Sequence, residues 1–199
     1  MIKKLLIATG NEDKVKEINE LLAELEIEVI TPVQIGGIPE VIEDGETLEE
    51  NAVKKASEVN EATGLATIAD DTGLLVDILD GRPGVYSARY AGEDASYADN
   101  NSKLLEELAG LAKSERSAKF KTIIALVDLQ GKAHIIEGTC KGHIALEILG
   151  ENGFGYDPIF IPKGYQKTFA QLTPQEKNKV SHRGKALLKM KNYIKGKFL

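Results

Sequence analysis

Apolar residues along this chain fall either in short unbroken runs or in stripes spaced three and four residues apart, which predicts strands alternating with helices. The run at the head of the chain, Met1 to Ala8, reads as a first buried strand. A helix follows, with Val15, Ile18, Leu21, Leu22 and Leu25 on one face. A short strand is expected at 28–30. Thr47-Leu48-Glu49-Glu50 has the form of a capping box, so a helix starts near Thr47 and runs to about Ala62 on Leu48, Ala52, Ala56 and Val59. Further on, Ile68-Ala69 closes a strand, Asp70-Asp71-Thr72-Gly73 breaks it, and Leu74 to Leu79 forms another. Ser96 to Leu111 reads as helix, its stripe of Leu104, Leu105, Leu108 and Leu111 assigned to packing. Ala118–Leu129 and Ala133–Ile144, rich in β-branched residues and separated by Gln130-Gly131-Lys132, predict a long antiparallel hairpin. A short strand at Ile159–Ile161, a helix capped by Thr173 and a last helix from Ser181 to about Ile194 complete an α/β pattern with a mixed sheet.

Composition narrows what such a fold does. With 199 residues, 42% of them hydrophobic, the chain can bury one sizeable core. Its 25 Lys and Arg against 31 Asp and Glu give a net charge of -6, which argues against a broad nucleic-acid or anionic-membrane surface, so any phosphate binding is local. No window approaches the roughly 18 apolar residues of a membrane span. Lys3 and Lys4 precede an apolar run too short for a signal sequence, and the single Cys140 fits packing in a reducing compartment; the expected location is the cytoplasm. His134 and His143 lack metal-ligand spacing and read as ordinary histidines.

Several polar loops carry candidate chemistry, each beside a plainer reading. Thr9-Gly10-Asn11-Glu12-Asp13-Lys14 joins a strand to a helix start, where backbone N–H groups and the helix dipole favour a phosphate, although any helix start has these features. It has neither a Walker loop nor a dinucleotide-binding fingerprint. Asp70-Asp71-Thr72-Gly73 is either a turn or the seat of one catalytic carboxylate, because successive strand side chains face opposite ways. Asn51 and Lys55 share a helix face, while Glu43 lies in an acidic loop; both Lys55 and Glu43 are also ordinary solvated residue types. In Gly153-Phe154-Gly155-Tyr156-Asp157-Pro158, Phe154 or Tyr156 can stack on a base and Asp157 can accept from its edge, or the aromatics fill the core. Lys177 lies on the short helix near the end. His182 and Arg183 open the last helix, where a cation is misplaced unless an anion lies nearby.

Taken together and in order, these motifs resemble the Ham1-like family of inosine triphosphate pyrophosphatases. The resemblance rests on Thr9-Gly10-Asn11 with Lys14, Thr47 through Asn51-Ala52 with Lys55-Ala56, Ala69-Asp70-Asp71-Thr72-Gly73-Leu74 with Pro83 through Tyr90, Gly153 through Pro158, and Ser181-His182-Arg183-Gly184. Thr72 stands where many relatives have serine, which keeps the hydroxyl. The resemblance implies a single domain over 1–199, with a long twisted mixed sheet, flanking helices and a central cleft between two lobes. It implies hydrolysis of ITP, dITP and XTP to the nucleoside monophosphate and pyrophosphate, with Mg²⁺, by a homodimer that cleanses the nucleotide pool. By position, Asp71 resembles the general base, with Asp71 and Glu43 near the metal. Thr9, Gly10, Asn11, Glu12, Asp13, Lys14, Lys55 and Thr72 resemble the triphosphate-binding set. Phe154, Gly155, Tyr156 and Asp157, with Lys177, His182 and Arg183, resemble the nucleoside set. Two other readings remain at this point, a pyrophosphatase of modified pyrimidine nucleotides and a nucleotide-binding module without turnover.

Overall fold

The computed structural model describes residues 2–25 and 27–198; Met1, Glu26, Leu199 and the side chain of Leu21 lie outside the description. Strands are β1 (Lys4–Ile7), β2 (Glu28–Ile30), β3 (Ala66–Val76), β4 (Ser117–Val127), β5 (Ala133–Ile144) and β6 (Phe160–Pro162). Helices are α1 (Glu12–Leu22), α2 (Leu48–Thr63), α3 (Tyr97–Glu107), α4 (Pro174–Val180) and α5 (His182–Lys197). Among the described residues the strands form one sheet in the order β2-β1-β3-β4-β5-β6. β1 runs parallel to β2 and β3, with Leu5 opposite Val29 on one side and Ala66 on the other, whereas β6 runs antiparallel to β5. The sheet therefore holds parallel and antiparallel pairs, the mixed arrangement that the expected hairpin of β4 and β5 implies.

Helix boundaries follow from side chains that satisfy the first backbone N–H groups. Asn11 caps α1, Thr47 and Glu50 form the capping box of α2, Ser96 and Asp99 that of α3, and Thr173 and Glu176 that of α4. At the other end of α2, Gly64 adopts φ 69°, which an L side chain disfavours.

Three expected boundaries are corrected. β3 runs unbroken through Asp70-Asp71-Thr72-Gly73, and it ends at Val76 in a 3-10 turn over Asp77–Leu79 instead of starting a second strand there. The turn chemistry of Asp and Gly yields to pairing, because the flanking positions of this strand are almost all buried. α3 stops at Glu107, short of Leu111. The buried Arg116 takes the carbonyls of Leu108 and Leu111 at 2.7 and 3.2 Å, supplying a cation at the helix end. β6 begins at Phe160, after a 3-10 turn at Asp157–Ile159.

The chain divides into two compact units. The first comprises Met1–Asp71, Thr122–Gly138 and Gly184–Leu199, and its core gathers Leu5, Ile7, Ile18, Leu22, Ile68, Ile124, Leu187 and Met190. The second comprises Thr72–Lys121 and Thr139–Arg183, with Leu74, Leu104, Leu108, Phe120, Cys140, Phe160 and Phe169 in its core. Cys140 is a buried thiol outside any disulfide, in keeping with a packing role. Among the described residues no helix is long and apolar enough to cross a membrane.

Candidate active site

In the first unit, the loop after β1 is built by its own polar side chains. The Asn11 N–H donates to Thr9 Oγ1 at 3.2 Å, and Asn11 Oδ1 accepts from the N–H groups of Asp13 and Lys14 at 3.0 and 3.1 Å. Two of the N–H groups that a phosphate would otherwise meet are thus taken by the cap. Glu12 and Asp13 sit in the first helical turn, where acids complement the dipole. Gly10 has open space where a side chain would stand. The cap fixes the first turn of α1, and Lys14 reaches β3, its Nζ 3.2 Å from Asp70 Oδ2 and 3.4 Å from the Asp70 carbonyl.

α2 organises a second cation in the same way. Asn51, buried, accepts the Gly45 N–H at 2.8 Å, and a Cβ on Gly45 would come within 2.7 Å of that amide oxygen, so the approach needs glycine. One turn along, Lys55 Nζ lies 2.6 Å from Glu43 Oε1. The acidic loop is thereby tied to the helix, with Glu46 N–H on Glu50 Oε2 and Lys54 on Asp44 as further ties.

Asp71 is 9% exposed. Burial pushes its carboxyl above the usual carboxylate range; Lys55 and Lys14 pull it back, while Glu43 and Asp70 push it further up, and the net shift is upward. Asp70, adjacent to Asp71, is held by Lys14. Among the described residues no group of three or more His, Cys, Asp or Glu side chains is gathered as a metal cluster. Two carboxylates, Glu43 and Asp71, nonetheless influence one another, and a hard cation that keeps several waters needs only one or two.

In the second unit, a different set assembles around one ring. The Phe154 N–H donates to Asp157 Oδ2 at 2.9 Å, and Lys177 Nζ lies 2.8 Å from the same oxygen. Gly153, at φ +76°, has no room for a Cβ beside the Asp157 carboxylate. Asn101 Nδ2 donates to the Gly155 carbonyl at 2.9 Å. The half-buried Phe154 ring then has Lys177 Nζ 4.8 Å and Arg183 Cζ 5.4 Å from its centroid, with the Tyr97 ring 6.1 Å away. Arg183 also donates to Thr72 Oγ1 at 3.3 Å, and the His182 ring stacks on Phe120 at 4.4 Å.

Two expected contacts are redirected. Tyr156 is 4% exposed, its ring lies among the core residues and its hydroxyl donates to the Ser87 carbonyl at 2.9 Å, a core-filling placement, whereas the Phe154 ring is half-buried. Asp157 already serves Lys177 and the Phe154 N–H through Oδ2 and shapes the loop. In the first unit the structure joins Glu43 to Lys55, and both act electrostatically on Asp71; in the second it joins Thr72, Phe154, Asp157, Lys177 and Arg183.

Sequence reasoning missed several supports. Ser87 accepts the Leu74 N–H at 2.9 Å and donates to the Gly84 carbonyl at 2.6 Å, holding the loop after β3. Asn100 takes the Ala91 N–H and donates to the Ala88 carbonyl. Two adjacent amides on a helix, at i-4 from the apolar Leu104 and Leu105, are the signal that marks Asn100 and Asn101 as buried polar groups.

The mixed sheet and its helices define an α/β protein; the first unit holds a buried carboxylate in the field of two lysines, and the second an aromatic ring flanked by two cations. The Ham1 family profile matches residues 5–193, and the chain belongs to that family. It is 51% identical over 191 residues to the dITP/XTP pyrophosphatase of Desulfotalea psychrophila, spanning 96% of this chain and 85% of that one. Against the dITP/XTP pyrophosphatase of Desulforamulus reducens the identity is 49%, over 94% and 92% of the two chains. The solved structure of a HAM1 protein from Coxiella burnetii superposes with a TM-score of 0.89 at 42% identity, over 98% of this chain and all of that one.

Proposed function

We propose that this chain hydrolyses non-standard purine nucleoside triphosphates, dITP, XTP and ITP, to the nucleoside monophosphate and pyrophosphate, and so cleanses the nucleotide pool. The relatives named dITP/XTP pyrophosphatase support the substrate class. The observation that carries the chemistry is Asp71, a buried carboxylate with raised proton affinity and two lysines in its field. Such a group is suited to take a proton from water as a general base.

In this reading Lys14, Lys55 and Thr72, with the Thr9–Asp13 loop, hold the triphosphate, and the lysines offset its charge inside an acidic protein. Substrate binding then exchanges the Glu43 and Asp70 carboxylates for phosphate oxygens as the lysines' partners. Phe154 offers the base a ring face, with Gly155, Tyr156 and Asp157 forming the loop beneath it, and Lys177, His182 and Arg183 supply donors. Hypoxanthine and xanthine carry an oxygen at C6 and accept from such donors; adenine presents an amino group there, a mismatch of buried polar groups that costs discrimination factors up to about 10⁴.

Glu43 and Asp71 suit Mg²⁺, because burial and each other's charge make a further positive partner favourable at Asp71. When bound, the ion polarises the phosphoryl group under attack and neutralises developing charge. The same reading takes the protein as a cytoplasmic homodimer that needs neither nucleic acid nor membrane.

Product identification by ³¹P NMR tests the proposal, with dITP, XTP, dATP and modified pyrimidine triphosphates compared at equal concentration with Mg²⁺. Pyrophosphate and monophosphate from dITP and XTP, with dATP nearly inert, support it. Orthophosphate and a diphosphate product, or a preference for the pyrimidines, overturn it.

A further inference from the structure

Away from every residue assigned above, the second unit contains a cavity of about 430 Å³ whose walls include Ser117 and Lys119 of β4, Lys141 and His143 of β5, Lys163 just after β6, and Asp77. Its walls thus carry three lysines and a serine against one aspartate. Among the described residues none of the three lysines has an ion-pair partner, in contrast to Lys4, Lys14, Lys54, Lys55, Lys177 and Lys191.

The backbone brings the strands that carry two of these lysines close together. Gly142 lies opposite Pro162, and a Cβ on it would collide with the Ile161 carbonyl, so β5 and β6 approach as closely as they do only because position 142 lacks a side chain. The Lys163 N–H donates to the Lys141 carbonyl at 2.8 Å, which makes these two lysines neighbours across the strand ends. Like charges so placed destabilise a sheet unless something offsets them. His143, on the cavity wall, adds a second observation: its Nε2 is buried and has no hydrogen-bond partner. Burial, and then Lys113, hold the His143 ring below the usual histidine range, so near neutral pH it adds no fourth charge and retains one N–H to donate.

We infer that this cavity is a binding site for a compact phosphate polyanion of the pyrophosphate class, gripped by Lys119, Lys141 and Lys163. The volume exceeds what a single orthophosphate fills, and the ammonium groups suit an anion bearing several charges as point-charge donors. Pyrophosphate is a product of the proposed reaction, so that on that reading the site senses product; the anion site itself stands on the lysines and the cavity and does not require that reading.

The test titrates inorganic pyrophosphate into the full-length protein by calorimetry, with the ring signals of His143 followed in parallel by NMR. Only three histidines are present, so His143 is readily assigned with a His143→Gln variant. A Lys14→Ala/Lys55→Ala background removes the triphosphate-binding lysines of the other set. In that background the inference expects saturable binding that shifts the His143 signals and weakens about tenfold or more in Lys141→Ala/Lys163→Ala, the loss of charge-assisted hydrogen bonds. Saturable binding with His143 unmoved, or binding insensitive to the Lys141 and Lys163 changes, overturns it. Failure of the Lys14→Ala/Lys55→Ala background to bind pyrophosphate at all also overturns it, while dITP turnover by the unaltered protein, measured separately, reports on the proposed reaction alone.

Discussion

Lys55 Nζ and Glu43 Oε1 stand 2.6 Å apart, so a cation expected to meet phosphate and an acid expected to meet metal are held by one another. The Lys55 side chain is 12% exposed and that of Glu43 34%, which leaves Glu43 the one partner with ready access to water. On the proposed function, a triphosphate arriving with a divalent cation would supply a new partner to each member of this pair.

Lys55→Ala is expected to weaken dITP binding about tenfold or more, since one charge-assisted contact to an anion is worth about 1.5–3 kcal/mol. Glu43→Gln leaves the charge on Lys55 and removes a carboxylate. Its expected signature is a higher Mg²⁺ requirement at little cost in metal-free nucleotide affinity. Initial rates over a grid of Mg²⁺ and dITP concentrations separate the two; identical metal dependence in the Glu43→Gln variant removes Glu43 from the metal set.

Asp71 carries a stability cost above its unfolded pKa. A carboxyl raised above its ordinary value in the fold binds protons more tightly folded than unfolded, so its contribution to stability is intact below the unfolded value of 3.8 and is lost as pH rises through the higher folded value. Above that window the buried charge is a standing penalty. Asp71→Asn removes it, and the variant is expected to melt higher than the unaltered protein near neutral pH while the gap closes toward pH 4. Parallel thermal melts across that range check this, and a variant that melts lower at pH 7 contradicts the sign.

Asp157 and Lys177 form a pair in which both side chains are at least 92% buried. Asp157→Ala leaves Lys177 without its carboxylate and the Phe154 N–H without its acceptor, and it is expected to cost about 3 kcal/mol or more. Asp157→Asn keeps an acceptor for that N–H and should cost less. Urea midpoints that rank the two equally would detach the Phe154 N–H from the stability of this loop.

Tyr156→Phe tests the placement of that ring in the core. Deleting the hydroxyl strips the Ser87 carbonyl of a hydrogen bond and is expected to cost about 1 kcal/mol with modest effect on dITP affinity. A Phe154→Ala change should do the reverse, because its ring is half-buried beside two cations and offers a face to a base. Equal losses of affinity in both variants would return Tyr156 to the stacking role.

Much of this architecture is written locally in the chain. Capping pairs such as Thr47 with Glu50 and Thr173 with Glu176 lie three residues apart, so the start of each helix is readable from four letters. The hidden part depends on distance along the chain. Nothing near Asp71 announces that Asp-Asp-Thr-Gly lies within one strand, because its continuity depends on sheet neighbours and on a Ser87 hydroxyl thirteen residues beyond Leu74. The Thr72 contact with Arg183 spans 111 positions, and that between Asn101 and Gly155 spans 54. Tyr156 misled for a related reason. In a glycine-rich loop an aromatic that anchors the core and one that faces ligand look alike until the partner of the hydroxyl is known.

The central claim is that Asp71 activates water, and it is tested most directly by comparing Asp71→Asn with the unaltered protein on dITP, measuring kcat beside the dissociation constant of a non-hydrolysable dITP analogue. The account expects kcat to fall by about 10²-fold or more with analogue affinity within a few-fold. A variant that keeps near-normal kcat would contradict it.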